Sequence, residues 1–390
     1  MFSSRLNWSA PPNPLAKLLQ EKRTTGQALL DLTESNPTSA GFEYPQDRIL
    51  RALADARSLS YQPEPAGLQA ARAAVADYYS SRVEAARILL TAGTSEGYAY
   101  VFKLLADPGA EVLVPRPSYP LFEYLAALES VRPVDYPLVY HGRWAIDFEA
   151  LRSRVTARTR AIVLVNPNNP TGSFLKQSEL TQLIPICRQH DLAIVSDEVF
   201  SDYAWEPDPQ RIRSLVDVEE VPTFVLSGLS KVAGLPQLKL GWIVAGGPTS
   251  TRQQAMERLE LISDTYLSVG TPVQWAAAAL LDFRGEIQRQ ILDRVRENRA
   301  HLANRIGSTS PWRLLHAEGG WYAILEAPRI RTEEEWVLTL LAEDNVLVQP
   351  GFFYDFEAEA FLVLSLLTPP ESFREGLRRI LARLDRVLGQ

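Results

Sequence analysis

Apolar residues along this chain of 390 residues fall into two alternating rhythms. Short runs dominated by apolar side chains, Ile88–Thr91, Glu111–Val114, Arg160–Val165, Leu192–Val195, Thr223–Leu226 and Gly241–Ala245, end in Gly, Pro, Asn or small residues and read as strands. Between and after them, longer stretches carry apolar residues three and four apart and read as helices: Leu68–Tyr79, a helix opening after Ala92 and running through Leu105, Gln177–Gln189, Thr251–Leu267 and Pro272–Leu281. Ile287, Ile291 and Val295 then form an apolar row four residues apart on a long charged helix, Gly285–Ile306, closed by Gly307. Beyond residue 308 the alternation resumes with Gly320–Glu326, a helix Thr332–Glu343, Val346–Val348, Phe361–Leu366 and a final helix Glu371–Leu388. The run Arg160–Val165 has no polar face, which predicts a central parallel strand, and the helix that follows it predicts a right-handed crossover to Leu192–Val195. The fold class is therefore α/β.

Composition narrows the function classes. A hydrophobic content of 46% with 22% charged residues is ordinary for a soluble protein, and the length allows two domains with a substantial core. A net charge of −7 without a basic run argues against nucleic acid as a partner. No segment approaches the roughly 18 apolar residues of a membrane helix, so no membrane role is expected. A single cysteine, Cys187, forbids an internal disulfide and, with no apolar leader at the start of the sequence, points to the cytoplasm. No metal site is read from the sequence. Residues 1–39 form a Pro- and Asn-rich arm around one short helical stretch, Pro14–Gln20, too small to bury a core of its own.

Candidate chemistry clusters where strands end. Ser227 to Trp242 reads SGLSKVAGLPQLKLGW: a strand runs into a tight turn carrying Lys231 among small residues, and Lys239 follows eight positions later. A lysine so placed has room to condense with an aldehyde if burial lowers its pKa; two solvated lysines flanking a loop are the plainer alternative. Ala92-Gly93-Thr94-Ser95 opens a helix with hydroxyls and free backbone N–H groups, suited either to an anion or simply to capping. Tyr119 sits in a Pro-Ser-Tyr-Pro turn after a strand, where a flat ring can stack on a ligand. Asn166-Pro-Asn-Asn169-Pro-Thr-Gly172 follows the central strand as a rigid turn. Asp197 ends the next strand, where a buried carboxylate is costly unless it meets a cation.

Taken together, these motifs resemble the class I/II aminotransferases that use pyridoxal 5′-phosphate. The resemblance covers roughly residues 30 to 390 and is specific from 91 to 242. It implies a large cofactor domain over 40–285, with 1–39 and 286–390 forming a smaller α/β domain. It further implies that Lys231 bonds to the cofactor aldehyde and shuttles protons, and that Asp197 pairs with the pyridine nitrogen. Asn169 would contact the ring's 3′ oxygen, with Asn166 behind it, and Tyr119 would stack on the ring. Thr94, Ser95 and Lys239, a lysine where arginine is usual, would hold the phosphate. Tyr61, ahead of Gly67 and Arg72, would reach the phosphate of a neighbouring subunit's cofactor, which implies a homodimer with shared sites. The implied reaction moves an amino group from an amino acid or amine to a 2-oxo acid. Elimination or decarboxylation on the same scaffold uses the same lysine and stays open at this point, whereas a non-enzymatic regulator would need a DNA-binding domain for which the arm has no room.

Two departures stand out. Phe200 occupies the place of a tyrosine that would donate to the 3′ oxygen, and Tyr203 is the candidate substitute. Val363, two residues before Ser365, stands where the family carries the arginine that clamps a substrate carboxylate. Arg116, Arg329 and Arg331 are candidate replacements by abundance alone, and a carboxylate-free substrate is the other explanation.

Overall fold

In the computed structural model, which describes residues 2, 3, 5, 13–307 and 310–388, the strands run in chain order as β1 Leu30–Asp31, β2 Ile88–Thr91, β3 Glu111–Arg116, β4 Arg132–Tyr140, β5 Trp144–Ile146, β6 Thr159–Val165, β7 Ala193–Asp197, β8 Thr223–Gly228, β9 Gly241–Gly246, β10 Arg313–Leu314, β11 Tyr322–Glu326, β12 Val346–Leu347, β13 Gln349–Pro350 and β14 Phe361–Ser365. Eight of them make one sheet in the order β2-β9-β8-β7-β6-β3-β4-β5. The five central strands β8, β7, β6, β3 and β4 are parallel; β9 runs against both its neighbours, and β5 turns back on β4.

The period-two alternation of these strands sends apolar side chains to both faces. Leu90, Leu113, Ile162, Leu164, Ile194, Val225 and Trp242 join one core, while Leu89, Val112, Val114, Val163, Val195, Phe224, Leu226 and Ile243 join another across the sheet. A sheet apolar on both faces must be covered on both. The helices Thr94–Leu105 and Thr249–Tyr266 cover the second face. Helix starts follow local chemistry: Asn13 accepts from the Leu15 N–H ahead of Pro14–Thr24, and Thr332 forms a capping box with Glu335.

A second, antiparallel sheet has the order β10-β11-β14-β13. The sequence places the long helix Arg284–Arg305 between the two sheets, with Ile287, Ile291 and Val295 fully buried along one side. The N-terminal arm does not stand free: β1 pairs parallel with β12, Ser365 N–H donates to the Leu32 carbonyl at 2.7 Å, and Pro14–Thr24 packs on Glu333–Asp344. Arm residues 6–12 lie outside the described residues. Strands β4 and β5 and the helices Gln46–Leu53, Phe122–Leu128 and Phe148–Arg154 were not apparent in the hydrophobic pattern. The strand read as Leu192–Val195 runs two residues further, so Ser196 and Asp197 are the last residues of β7.

Candidate active site

Strands β6, β7 and β8 lie side by side and parallel, so their carboxyl ends share one edge of the sheet. Val165, Asp197 and Leu226 stand in register there, and the chain beyond each strand delivers Asn169 after β6 and Lys231 after β8. This edge is the usual ligand crevice of an open parallel sheet. The fourth contribution comes from β2, whose end Thr91 pairs with Gly241 of β9. That pairing brings Gly93, Thr94 and Ser95 beside Lys239, which precedes β9 and takes a left-handed conformation at φ 52°.

One cavity of about 320 Å³ opens at this edge, and Thr94, Ser95, Tyr119, Asn169, Asp197, Lys231 and Lys239 all line it. Tyr61 does not. Its side chain is 77% exposed and lines a separate small depression with Leu267 and Gln274. The site also has walls that the motifs did not reveal. Tyr98 faces Asp197 from inside the helix Thr94–Leu105, and Ser35 and Tyr322 enter from the arm and from β11. Trp321 lies with its ring centroid 4.7 Å from Lys231 Nζ. Tyr98 falls on the helix's apolar side and could have been found from its position one turn after Thr94; Trp321 follows only from the tertiary fold.

The electrostatics divide sharply between two groups. Burial pulls the Lys231 amine down from 10.5 to about 8, against the pull of the Asp197 charge. Burial likewise lifts the Asp197 carboxyl to about 6, although the Val199 N–H, the Tyr98 hydroxyl and Lys231 all favour its ionised form. The Val199 N–H donates to Asp197 Oδ1 and Tyr98 Oη to Oδ2, each at 3.2 Å. Asp197 is therefore an acid held in place by two donors that, together with Lys231, only partly offset its burial. Asn169 Oδ1 is buried with no hydrogen-bond partner, an unmet acceptor in the cavity wall. Asn166, by contrast, is saturated: it accepts from the Leu175 N–H and donates to the Ile212 carbonyl, each at 3.0 Å, holding the turn that carries Asn169.

Thr94 and Ser95 do not cap their helix. The cap position is Gly93, with no side-chain hydrogen bond, and the two hydroxyls fall at the first helical positions facing the cavity. Gly93 has φ 155°, and a Cβ on Gly241 would lie 2.9 Å from its backbone, so glycine at 241 lets the helix start approach β9 closely. Tyr203 cannot replace the hydroxyl missing at Phe200. Its own hydroxyl donates to the Lys231 carbonyl at 2.6 Å, while the Phe200 ring lines the cavity.

Val363 is fully buried in β14 between Ile324 and Gln349. None of the three arginines offered as substitutes reaches the cavity. Arg116 binds the Asp355 carbonyl and Asp135, Arg329 pairs with Glu326, and Arg331 donates to Thr339 over the Trp336 ring.

Comparison with known proteins gives a consistent picture. The sequence profile of the family described as Aminotransferase class I and II matches residues 27–380. The glutamate-pyruvate aminotransferase AlaA of Escherichia coli (strain K12) is 28% identical over 351 residues, covering 87% of this chain and 86% of that protein. An alanine aminotransferase of Mycobacterium tuberculosis (strain ATCC 25618 / H37Rv) is 28% identical over 369 residues, 91% of this chain and 85% of its own length. Among solved structures, alanine aminotransferase from Pyrococcus furiosus superposes with a TM-score of 0.89 at 24% identity, covering 99% of this chain and all of that one, and so supports the fold.

Proposed function

From the premise that this chain belongs to aminotransferase class I and II, we propose a division of labour among the residues of its cavity. The chain is a pyridoxal 5′-phosphate-dependent aminotransferase, moving an amino group between an amino compound and a 2-oxo acid. The cavity suits that cofactor on its own terms: it is lined by an amine lowered by burial, an acid raised by burial, an orphaned asparagine acceptor, and a helix start with two hydroxyls and a lysine.

Bound there, the cofactor would supply an aldehyde for the substrate nitrogen and an electron-poor ring as a sink for the electron pair on the substrate carbon. Lys231 holds the cofactor covalently through Nζ, gives way to the substrate nitrogen, and then carries the proton taken from the substrate carbon. With a pKa near 8, about a tenth of Lys231 is neutral at pH 7, against a few parts in ten thousand for an ordinary lysine. Asp197 pairs its carboxylate with the cationic ring nitrogen, which pulls its pKa back down. Asn169 orients the ring, Tyr119 covers its face, and Thr94, Ser95 and Lys239 hold the phosphate. We extend the proposal to a cytoplasmic homodimer in which Tyr61 reaches the partner's cofactor; an exposed tyrosine outside the cavity of its own chain suits that task.

The observation that carries this reading is the meeting of Lys231, Asp197 and Asn169 at one sheet edge. Its test is isotopic. Nitrogen-15 from a labelled amino donor should appear in the amino product of an added 2-oxo acid with pyridoxal phosphate present, and Lys231→Ala should abolish the transfer. Transfer at an undiminished rate in that variant would contradict the proposal.

A further inference from the structure

A substrate that gives its nitrogen to Lys231's site brings anything else on the same carbon to the neighbouring wall, and that wall is neutral. Among the described residues, Lys231 and Lys239 are the only cationic side chains lining the cavity. Lys231 is the reacting amine, and Lys239 sits with the helix start that holds the phosphate. On the small sheet, Val363, Ile324 and Gln349 stand opposite one another in register, so they share one face. Two residues further on, that same face carries Tyr322, a wall of the cavity.

Tyr354 completes the group. Its hydroxyl donates to Gln349 Oε1, and its ring centroid lies 6.4 Å from that of Tyr322. Its carbonyl accepts from the Ser118 N–H at 3.0 Å, which ties it to the turn bearing Tyr119. Burial pushes the Tyr322 hydroxyl up to about 12 and also raises those of Tyr354 and Tyr119. Tyr322 and Tyr119 therefore present neutral phenols and aromatic surface to the cavity, with Tyr354 packed beside Tyr322 and bonded to Gln349. The arginines near this wall are spent on other partners, as described above.

We infer that the preferred substrate is a primary amine, or the matching carbonyl compound, with no carboxylate on the amino-bearing carbon and with its neutral remainder against Tyr322 and Tyr119. The inference rests on the aminotransferase reading above and names its substrate class. A carboxylate stripped of water at a neutral wall loses a factor of about 30 to a few thousand in binding relative to one met by a cation, and an amine without it loses nothing. The overall exchange is R–CH2–NH2 + R′–CO–COO⁻ → R–CHO + R′–CH(NH2)–COO⁻. The amine's C–N bond breaks and a C=O bond forms on that carbon, while the keto carbon of the 2-oxo acid loses its oxygen and gains nitrogen and a proton. The amine carbon is oxidised by the two electrons that reduce the keto carbon, so no other oxidant is needed. The 2-oxo acid meets the same neutral wall, and its KM is correspondingly high.

The test offers the cofactor-loaded wild-type protein substrate pairs that differ only by the carboxylate: phenethylamine with phenylalanine, isobutylamine with valine, and propylamine with 2-aminobutyrate, all with excess pyruvate. The expected result is a kcat/KM at least about thirtyfold higher for the amine of each pair that turns over. Calorimetric binding of the unreactive 3-phenylpropanamide and 3-phenylpropionate supplies a readout without turnover, with the amide expected to bind at least about thirtyfold more tightly. Equal or tighter binding of the carboxylate, or a higher kcat/KM for the amino acids, would overturn the inference. If no donor of either kind transfers nitrogen, the aminotransferase reading fails, and the binding comparison still decides the nature of the wall.

Discussion

At Asp197 and Lys231, burial sets two pKa values that make stability depend on pH before any cofactor binds. Asp197 titrates near 6 when folded and near its ordinary 3.8 when unfolded, so the folded state binds the extra proton between those values. Its destabilising effect is absent below about pH 4, grows as pH rises and is complete above about pH 6, reaching up to about 3 kcal/mol. Lys231 works in the opposite direction at higher pH: its folded pKa near 8 lies below 10.5, so its contribution improves between those values as pH rises. Asp197→Asn in the cofactor-free protein should therefore raise stability by up to about 3 kcal/mol at pH 7 and flatten the profile between pH 4 and 6. Urea unfolding across pH is the check, and an unchanged profile would show that Asp197 is not desolvated as described. Phe200→Tyr should restore a donor at the cavity wall and tighten pyridoxal phosphate binding roughly two- to tenfold, the worth of one neutral hydrogen bond. A cofactor titration that shows no gain would place the new hydroxyl elsewhere. Lysine, aspartate and asparagine were legible in the sequence because each lies at or within four residues of a strand's end inside a short, unusual motif. Trp321 was not, because an aromatic residue beside a glycine pair looks the same in a core as at a site. Tyr203 could be judged only from its hydrogen bond to the Lys231 carbonyl.

The elements that shape the site are held by close backbone approaches rather than by large side chains. A Cβ at Gly241 would stand 2.9 Å from Gly93, and one at Gly228 would stand 2.9 Å from the Leu240 carbonyl. Neither contact can relax by turning a side chain. Gly241→Ala should therefore push the start of the Thr94–Leu105 helix away from Lys239. The expected outcome is a cofactor affinity at least tenfold lower, with about 1–3 kcal/mol lost in stability, measured by spectral titration and denaturation. Unchanged affinity would mean that the helix start does not serve the phosphate. The central strands could be read from composition, since β6, β7 and β8 each carry a continuous buried apolar run, at residues 161–164, 193–195 and 224–226. Strands β4 and β5 could not: β4 reads RPVDYPLVY, with two prolines and two charged residues, and β5 pairs with residues 138–140, so among the described residues the stretch bearing both prolines pairs on the β3 side alone.

Across the whole molecule, the small sheet and the large one meet at the cavity through a polar anchor. Lys176, buried at 5% exposure, donates to both Asp208 and Glu318 at 2.6 Å, and Glu318 also accepts from the Phe174 N–H at 3.0 Å. Trp205 Nε1 donates to the Gly320 carbonyl at 3.0 Å, so the residues leading to Trp321 and Tyr322 are fastened to loops of the large sheet. Lys176→Met leaves two partly exposed carboxylates without their cation and should cost about 1.5–3 kcal/mol, read as a lowered denaturation midpoint. A loss below about 1 kcal/mol would show that the anchor is dispensable. Each of these bonds joins residues at least 32 positions apart in sequence, which is why the anchor could not be foreseen from motifs. The assembly of arm, cavity and small sheet converges on one claim, that position 231 is where the cofactor attaches. The most direct measurement is peptide mapping by mass spectrometry after borohydride reduction of the pyridoxal phosphate-loaded protein. The account predicts one modified peptide, with the added mass on Lys231 and none on Lys239; modification of another lysine with Lys231 left bare would contradict it.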